Sequence, residues 1–428
     1  MRGPFRNRTF RRLFVGRVIT NVGDSFYFVG AMWLVYSLTN DPLYTGIAGF
    51  VTMAPQAFQF LAGPLVDRWS IRRILIGTQL VQAAVVSLIP IAHVFDVLTV
   101  ELVLVVMPVL SALNQLVYPA QITALPRILD DGELVAANSA FSVAYQGFDT
   151  VANGIGGVLI GLFGAVALFA LDAVTFGIAA IVFATVSIPP ANKPNDDDQP
   201  ADTSTHPLAG DEDSDSYVAR MREGVAVLRG TFLVPLLAGA VMANFSVGMI
   251  LAATPAYADS LAVSGAVSPI GAAGAYGILM ASIAAGGFVG AIATNLVAHR
   301  RLGRSMIGGY TLAGVLWSGA LLADWLPVTA LLFALANVPI GVLAVQVAAV
   351  VQSAPPTEMV GRVSSIHGSA SASMVPIGSL AGGVVAGWLS PQTAMAALGI
   401  AAFSLALYVL ANRDLREMPS PDRATIDS

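Results

Sequence analysis

Apolar runs of about twenty residues, each closed by a short polar turn, recur along the whole chain. Wound as a helix, such a run spans roughly 30 Å, the thickness of a hydrocarbon layer. Inside that layer every backbone amide must be satisfied within the protein, which leaves helices or closed barrels. Barrel strands would alternate apolar and polar residues over about ten positions, a pattern absent here. The chain therefore reads as an all-α membrane protein. Of its 428 residues 56% are hydrophobic and 11% charged, against about a quarter charged in a soluble domain. Many of the 41 glycines and 24 prolines lie inside the apolar runs, as is usual for membrane helices. There is no cysteine, so disulfides, thiolate metal sites and cysteine nucleophiles are excluded.

Counting the runs predicts twelve transmembrane helices in two blocks of six. The first block covers residues 13–188, with spans near 13–38, 43–66, 73–95, 99–125, 134–163 and 165–188. The second covers 231–412, with spans near 232–257, 269–298, 304–323, 327–352, 360–389 and 392–412. A basic N-terminus (1–12), a linker (189–230) and a tail (413–428) complete the chain. Residues 191–216 are rich in Asn, Asp, Pro, Ser and Thr, and such a stretch cannot bury enough surface to fold. Val218, Met221, Val225 and Leu228 then recur at helical spacing, which predicts an amphipathic helix over 217–229 along the membrane face.

Charge sets the sidedness. With twelve spans, the arginines of the N-terminus, Arg68, Arg72, Arg73, Arg127, the linker cations, Arg300, Arg301, Arg304, Arg362 and the tail arginines all fall on one side. The opposite connections carry Asp41, Asp96, Asp259 and Asp324 and no Lys or Arg. By the positive-inside rule both termini and the linker are cytoplasmic, and the chain is expected as a multi-pass protein of the cell membrane. The net charge of −5 owes much to residues 196–215 and implies no nucleic-acid partner.

The two blocks share a pattern. Gln121, Pro126, Leu134 and the glycines from Gly154 to Gly157 are echoed in the same order by Gln352, Pro356, Val360 and Gly378 to Gly383. Parallel six-span repeats are one architecture of secondary transporters. A tight charged turn, Gly63-Pro64-Leu65-Val66-Asp67-Arg68-Trp69-Ser70-Ile71-Arg72-Arg73, separates spans two and three. With Gly63, Leu65, Asp67, Arg68 and Arg73 in place, it resembles the loop signature of the major facilitator superfamily. Ser70 and Ile71 depart from that signature. The run from Tyr118 to Pro126 and the run from Leu168 to Phe176 are similar to the enterobactin-exporter and macrolide-efflux branch. The resemblance implies that Asp67, with Gly63, Arg68, Arg72 and Arg73, forms a cytoplasmic gate. On their own charge Arg68, Arg72 and Arg73 are expected to hold the loop against headgroups and carboxylates such as Asp130, Asp131 and Glu133. A glycine-proline pair usual in span five of such exporters is replaced by Ala152 and Asn153, and an arginine common in span four is missing.

Ionisable residues inside spans are the sharpest functional signals, because a charge in hydrocarbon is costly and usually faces a cavity or a partner. Asp24 lies near mid-depth of span one, Asp149 at similar depth in span five, and Asp172 inside span six. Burial disfavours the charged form of a carboxylate, which makes such a group a candidate proton carrier. Asp24 and Asp149 are expected in coupling or substrate binding, and Asp172 in a structural hydrogen bond. Arg17, the one basic residue placed within a span rather than at a connection, is expected to reach the interface or a loop carboxylate. Asn21, Asn114, Gln115, Tyr118, Tyr145, Gln146 and Asn153 in the first block, with Asn244 and Asn337 in the second, are candidates to line a central cavity. Gly147, Gly154, Gly156 and Gly157 are expected to let helices approach closely.

No nucleotide-binding Lys loop, His-Glu-x-x-His pair or serine elbow is present, so no enzyme, cofactor or metal site is expected. The sequence predicts a monomeric secondary transporter in the lipid bilayer, exporting amphipathic small molecules by alternating access and driven by protons or another ion. A lipid or lysolipid transporter, an uptake carrier, or a non-transporting receptor or assembly factor are the alternatives. The acidic balance of the spans hints at neutral or cationic cargo.

Overall fold

The structure is a computed structural model describing residues 3–56, 69–189, 231–263, 271–297, 299–355 and 360–420. Local chemistry sets many helix ends. Asn7 opens α1 (Arg8–Thr39) by accepting from the amides of Thr9 and Phe10, and Asn40 closes it in the left-handed conformation at φ 52°. Asp41 caps α2 (Pro42–Met53), which has proline in its first turn. α3 (Ile71–Val94), α4 (Val100–Asn114), α5 (Val117–Ile128), α6 (Asp131–Phe163) and α7 (Ala165–Ala184) complete a first group. A second group holds α8 (Leu233–Val263), α9 (Gly271–Val297), α10 (Leu302–Leu321), α11 (Leu326–Ser353), α12 (Val360–Ala372), α13 (Met374–Trp388) and α14 (Pro391–Ala411), with the short α15 (Arg413–Arg416) behind it. No strand occurs among the described residues. Nine helical stretches among them are long and apolar enough to cross a membrane.

Two segments expected as continuous spans are broken. α4 gives way to α5 at Gln115 and Leu116, and α12 to α13 at Ser373. Each break sits just before a proline in the first turn of the next helix, Pro119 and Pro376 respectively. A proline has no amide to donate, and its ring clashes with the carbonyl four residues back.

Within the first group, α1 lies against α7 along Gly16, Gly23 and Gly30. These recur every seven residues, so they face one way. A Cβ on Gly30 would stand 3.2 Å from the Leu168 Cβ, and one on Gly16 would run into the Phe183 ring. In the second group, Gly286 and Gly290 of α9 accept the backbone of α11 in the same manner.

The two groups meet near one end. α2 touches α13 where Gly46 faces Gly383, and a Cβ on Gly46 would lie 2.9 Å from the Gly383 Cα. α6 touches α9, with Gly157 against Gly277 and Gly161 against Gly274. Tyr36 of α1 donates to Asp259 Oδ2 of α8 at 3.1 Å, and Tyr276 of α9 donates to the Val29 carbonyl at 3.3 Å. Trp33 stacks on Tyr276 with ring centroids 5.4 Å apart. All these contacts lie toward the C-terminal ends of α1 and α6. At the opposite end α5 and α12 pack substantially only within their own groups, and Val135 and Val143 of α6 are exposed. The groups thus converge at one end and diverge at the other. At the diverging end the tail caps α10: the Leu302 and Gly303 amides donate to the carbonyls of Pro419 and Met418 at 3.1 and 3.4 Å.

Candidate functional site

Asp24 sits half-buried sixteen residues along α1, about 24 Å from its start at 1.5 Å per residue. The α4–α5 break brings Asn114 to it, and the Asn114 Nδ2 donates to Asp24 Oδ2 at 3.1 Å. Asp24 is engaged beyond that one bond. Behind it on α7, Asp172 is fully buried. Thr175 Oγ1 donates to Asp172 Oδ1 at 3.1 Å, while Asp172 Oδ2 has no partner among the described residues. The Asp172 carboxylate packs on Gly23, the neighbour of Asp24, and the two acids are close enough to interact electrostatically. Tyr27, one turn further along α1, is in range of both, and its hydroxyl donates to the Met107 carbonyl at 3.2 Å.

A second cluster lies two turns earlier on α1. Arg17 is 7% exposed, so it does not reach the interface as its position suggested. Its Nε donates to Gln121 Oε1 of α5 at 2.9 Å and to the Tyr145 hydroxyl of α6 at 3.1 Å. Tyr145 in turn donates to Gln121 Oε1. Arg17 Nη1 donates to Thr20 Oγ1 at 3.3 Å, and the guanidinium stands 5.5 Å from the Tyr145 ring centroid. Neutral acceptors from a neighbouring turn and two other helices hold the cation where the sequence suggested lipid or a loop.

The remaining candidates divide. Tyr118 is 48% exposed on α5 and electrostatically in range of Tyr145. Asn21 has a buried Oδ1 with no partner among the described residues. Gln115 donates to its own helix at the Ser111 carbonyl, 3.2 Å. Asn244 does the same at Ala240, 2.9 Å. Asn337 does not line an opening: it is 8% exposed, donates to the Phe333 carbonyl at 2.8 Å and packs on Gly286 of α9. The side chains of Gln146, Asp149 and Asn153, and Gly154, lie outside the described residues, although α6 runs through their positions.

Gly63, Asp67 and Arg68 of the gate turn, and the segment 217–229, also lie outside the described residues. Arg72, expected against headgroups or carboxylates, donates to the Ala184 carbonyl at the end of α7. Arg12 donates to Thr185 there at 2.7 Å. Both cations satisfy a helix C-terminus. Arg73 lies in the first helical turn of α3. Of the proposed packing glycines, Gly156 faces Phe26 and Gly157 faces Gly277, whereas a Cβ on Gly147 would meet nothing within 4 Å. Gly147 is therefore no close helix contact.

Sequence reasoning missed Gln121 as a site residue and misplaced Arg17. The rule that an intramembrane charge seeks a partner pointed at Arg17; its partners sit 104 and 128 residues away, which no local pattern reveals. Among the described residues no group of three or more His, Asp or Glu side chains could hold a metal.

The sequence profile described as "Major Facilitator Superfamily" matches residues 13–378. A relative from Bacillus subtilis (strain 168), "Uncharacterized MFS-type transporter YvqJ", is 26% identical over 140 residues, 32% of this chain and 33% of the relative. The match thus spans about a third of that relative's length. Among solved structures, a nucleoside transporter, NupG, has a TM-score of 0.65 at 14% identity, over 94% of this chain and 98% of its own. A D-xylose-proton symporter has a TM-score of 0.66 at 11% identity, over 96% of this chain and 99% of its own. A bacterial homolog of the human lysosomal transporter Spinster, inward-facing and occupied, has 0.66 at 13% identity, covering 96% of both chains. At these identities the likeness is one of fold.

Proposed function

The chain belongs to the major facilitator superfamily, and we propose that it is a monomeric twelve-span secondary active transporter that exports amphipathic small molecules. Its two six-helix halves work by alternating access, with protons entering through Asp24. One observation carries the reading: helices of the two groups close tightly at one end and diverge at the other, with a half-buried carboxylate bonded to Asn114 between the two levels. With the basic residues on the cytoplasmic side, the diverging end faces the cytoplasm, so this conformation loads from inside. A receptor would need no carboxylate at that depth. Gly63, Asp67, Arg68, Arg72 and Arg73 retain the gate role at the loading end, with Arg72 seated on the end of α7. Asp149 is the second coupling candidate.

The coupling chemistry follows from burial. A carboxylate leaving water favours its neutral form, so Asp24 takes a proton in one orientation and releases it in the other. In proteoliposomes with an imposed pH gradient, Asp24→Asn is expected to abolish gradient-driven accumulation while leaving downhill exchange. Unchanged gradient-driven transport by Asp24→Asn would overturn the assignment.

A further inference from the structure

We infer that Arg17 anchors an anionic group, of the carboxylate class, on the molecule the protein carries. This rests on the transporter reading and adds the charge class of its cargo. Arg17 has five N–H donors. Nε serves Gln121 and Tyr145, and Nη1 serves Thr20. Nη2 makes no bond among the described residues, yet it is not among the sealed-off polar atoms. Every acceptor that holds the guanidinium is neutral, and no described carboxylate ion-pairs with it. A cation removed from water without a counter-charge is costly. Nε is occupied and Nη1 gives one of its two N–H groups to Thr20, so the second N–H of Nη1 and an N–H of Nη2 remain as the end-on pair by which arginine forks onto a carboxylate.

The surroundings suit an amphipathic acid. Tyr145 lies flanking the cation, and the half-exposed Tyr118 is in electrostatic range of Tyr145. Asn21 and Asp24 follow on α1, Asp24 two turns or about 10 Å further in. An anion seated at Arg17 would lay its apolar body along α1 toward the proton-carrying carboxylate. The acidic balance of the spans hinted at neutral or cationic cargo; the buried, neutral-bonded arginine reverses that preference at this level of the opening.

The test uses the full chain in nanodiscs and reads thermal unfolding and intrinsic tryptophan fluorescence. The probes are decanoate, 1-naphthaleneacetate and deoxycholate below its micelle-forming concentration, each against its methyl ester. The acids should stabilise the wild type and bind about tenfold tighter than the esters. Arg17→Gln should abolish the difference, and Arg17→Lys, which keeps the charge but not the fork, should reduce it. Discs of phosphatidylcholine and discs containing phosphatidylglycerol separate the sources of the anion. Loss of the acid preference only with phosphatidylglycerol supports the site with a lipid headgroup as occupant. Equal binding of acids and esters by the wild type, no binding of any acid, or an acid preference that survives in Arg17→Gln would each overturn it. Charge-selective binding without any transport would count against the transporter reading alone.

Discussion

Gly157 offers the most direct test of how the converging end holds together. A Cβ placed there would lie 2.6 Å from the Gly277 carbonyl oxygen and 2.8 Å from its carbonyl carbon. Those atoms are backbone, so no side-chain rotation relieves the clash. Ordinary contact between carbons needs about 3.5–4.0 Å, so Gly157→Ala must part α6 from α9 by about 1 Å. Overpacking of this kind costs about 1–3 kcal/mol, and the whole of it falls on the conformation in which this end is closed. A difference of that size shifts a two-state equilibrium by about 5- to 150-fold. The chain has no cysteine, so spin labels can be placed at will on introduced ones. Phe163 and Trp388 are exposed at the converging end, and Val135 and Arg304 at the diverging end. In Gly157→Ala the first pair should move apart and the second together, as read by pulsed electron resonance. Unchanged distances at both pairs, in a variant that folds and stays monodisperse, would refute the view that the Gly157–Gly277 seam sets which end is closed.

Two further perturbations probe the two ends separately. Tyr36→Phe removes the hydrogen bond to Asp259, worth about 1 kcal/mol at a partly exposed site, and should move the Phe163–Trp388 distance in the same direction as Gly157→Ala by a smaller amount. At the opposite end Leu415 is buried in the tail that caps α10. Leu415→Ala should cost about 2–5 kcal/mol, seen as a lower unfolding temperature with the conformational distances unchanged.

The class of fold was legible in the sequence because apolar length is a local property. The α1 interactions were less so, because they join residues far apart in the chain. Asp24 stood out as a charge at depth, but Asn114 as its partner depends on the break at Gln115, and that break depends on Pro119. The rule for prolines was available; its consequence for a side chain 90 residues from Asp24 needed the packed helices. Arg17 was misread for a related reason. Its distance from Asp24 along α1 said nothing of Gln121 and Tyr145, which come from α5 and α6. Glycines showed the limit in the other direction: Gly147 and Gly157 look alike in sequence, yet one faces open space and the other a backbone.

α1 carries both stripes at once. Gly16, Gly23 and Gly30 face α7, while Arg17, Asn21 and Asp24, at spacings of four and three, lie on an adjoining face. Between the stripes, the fully buried Asp172 rests on Gly23 beside Asp24. This separates two substitutions on the same glycine stripe. Gly30→Ala puts its Cβ 3.2 Å from the Leu168 Cβ, and Gly23→Ala puts its Cβ 3.2 Å from the Thr175 Cβ and closer still to the Asp172 carboxylate. Both should destabilise, by about 1–3 kcal/mol, with Gly23→Ala the more costly because its clash is the closer. Only Gly23→Ala displaces a carboxylate that interacts with Asp24, so only it should shift the pH at which gradient-driven transport is half-maximal. The same pH profile in both variants, each folded, would show that Asp172 is a packing residue with no influence on the proton at Asp24.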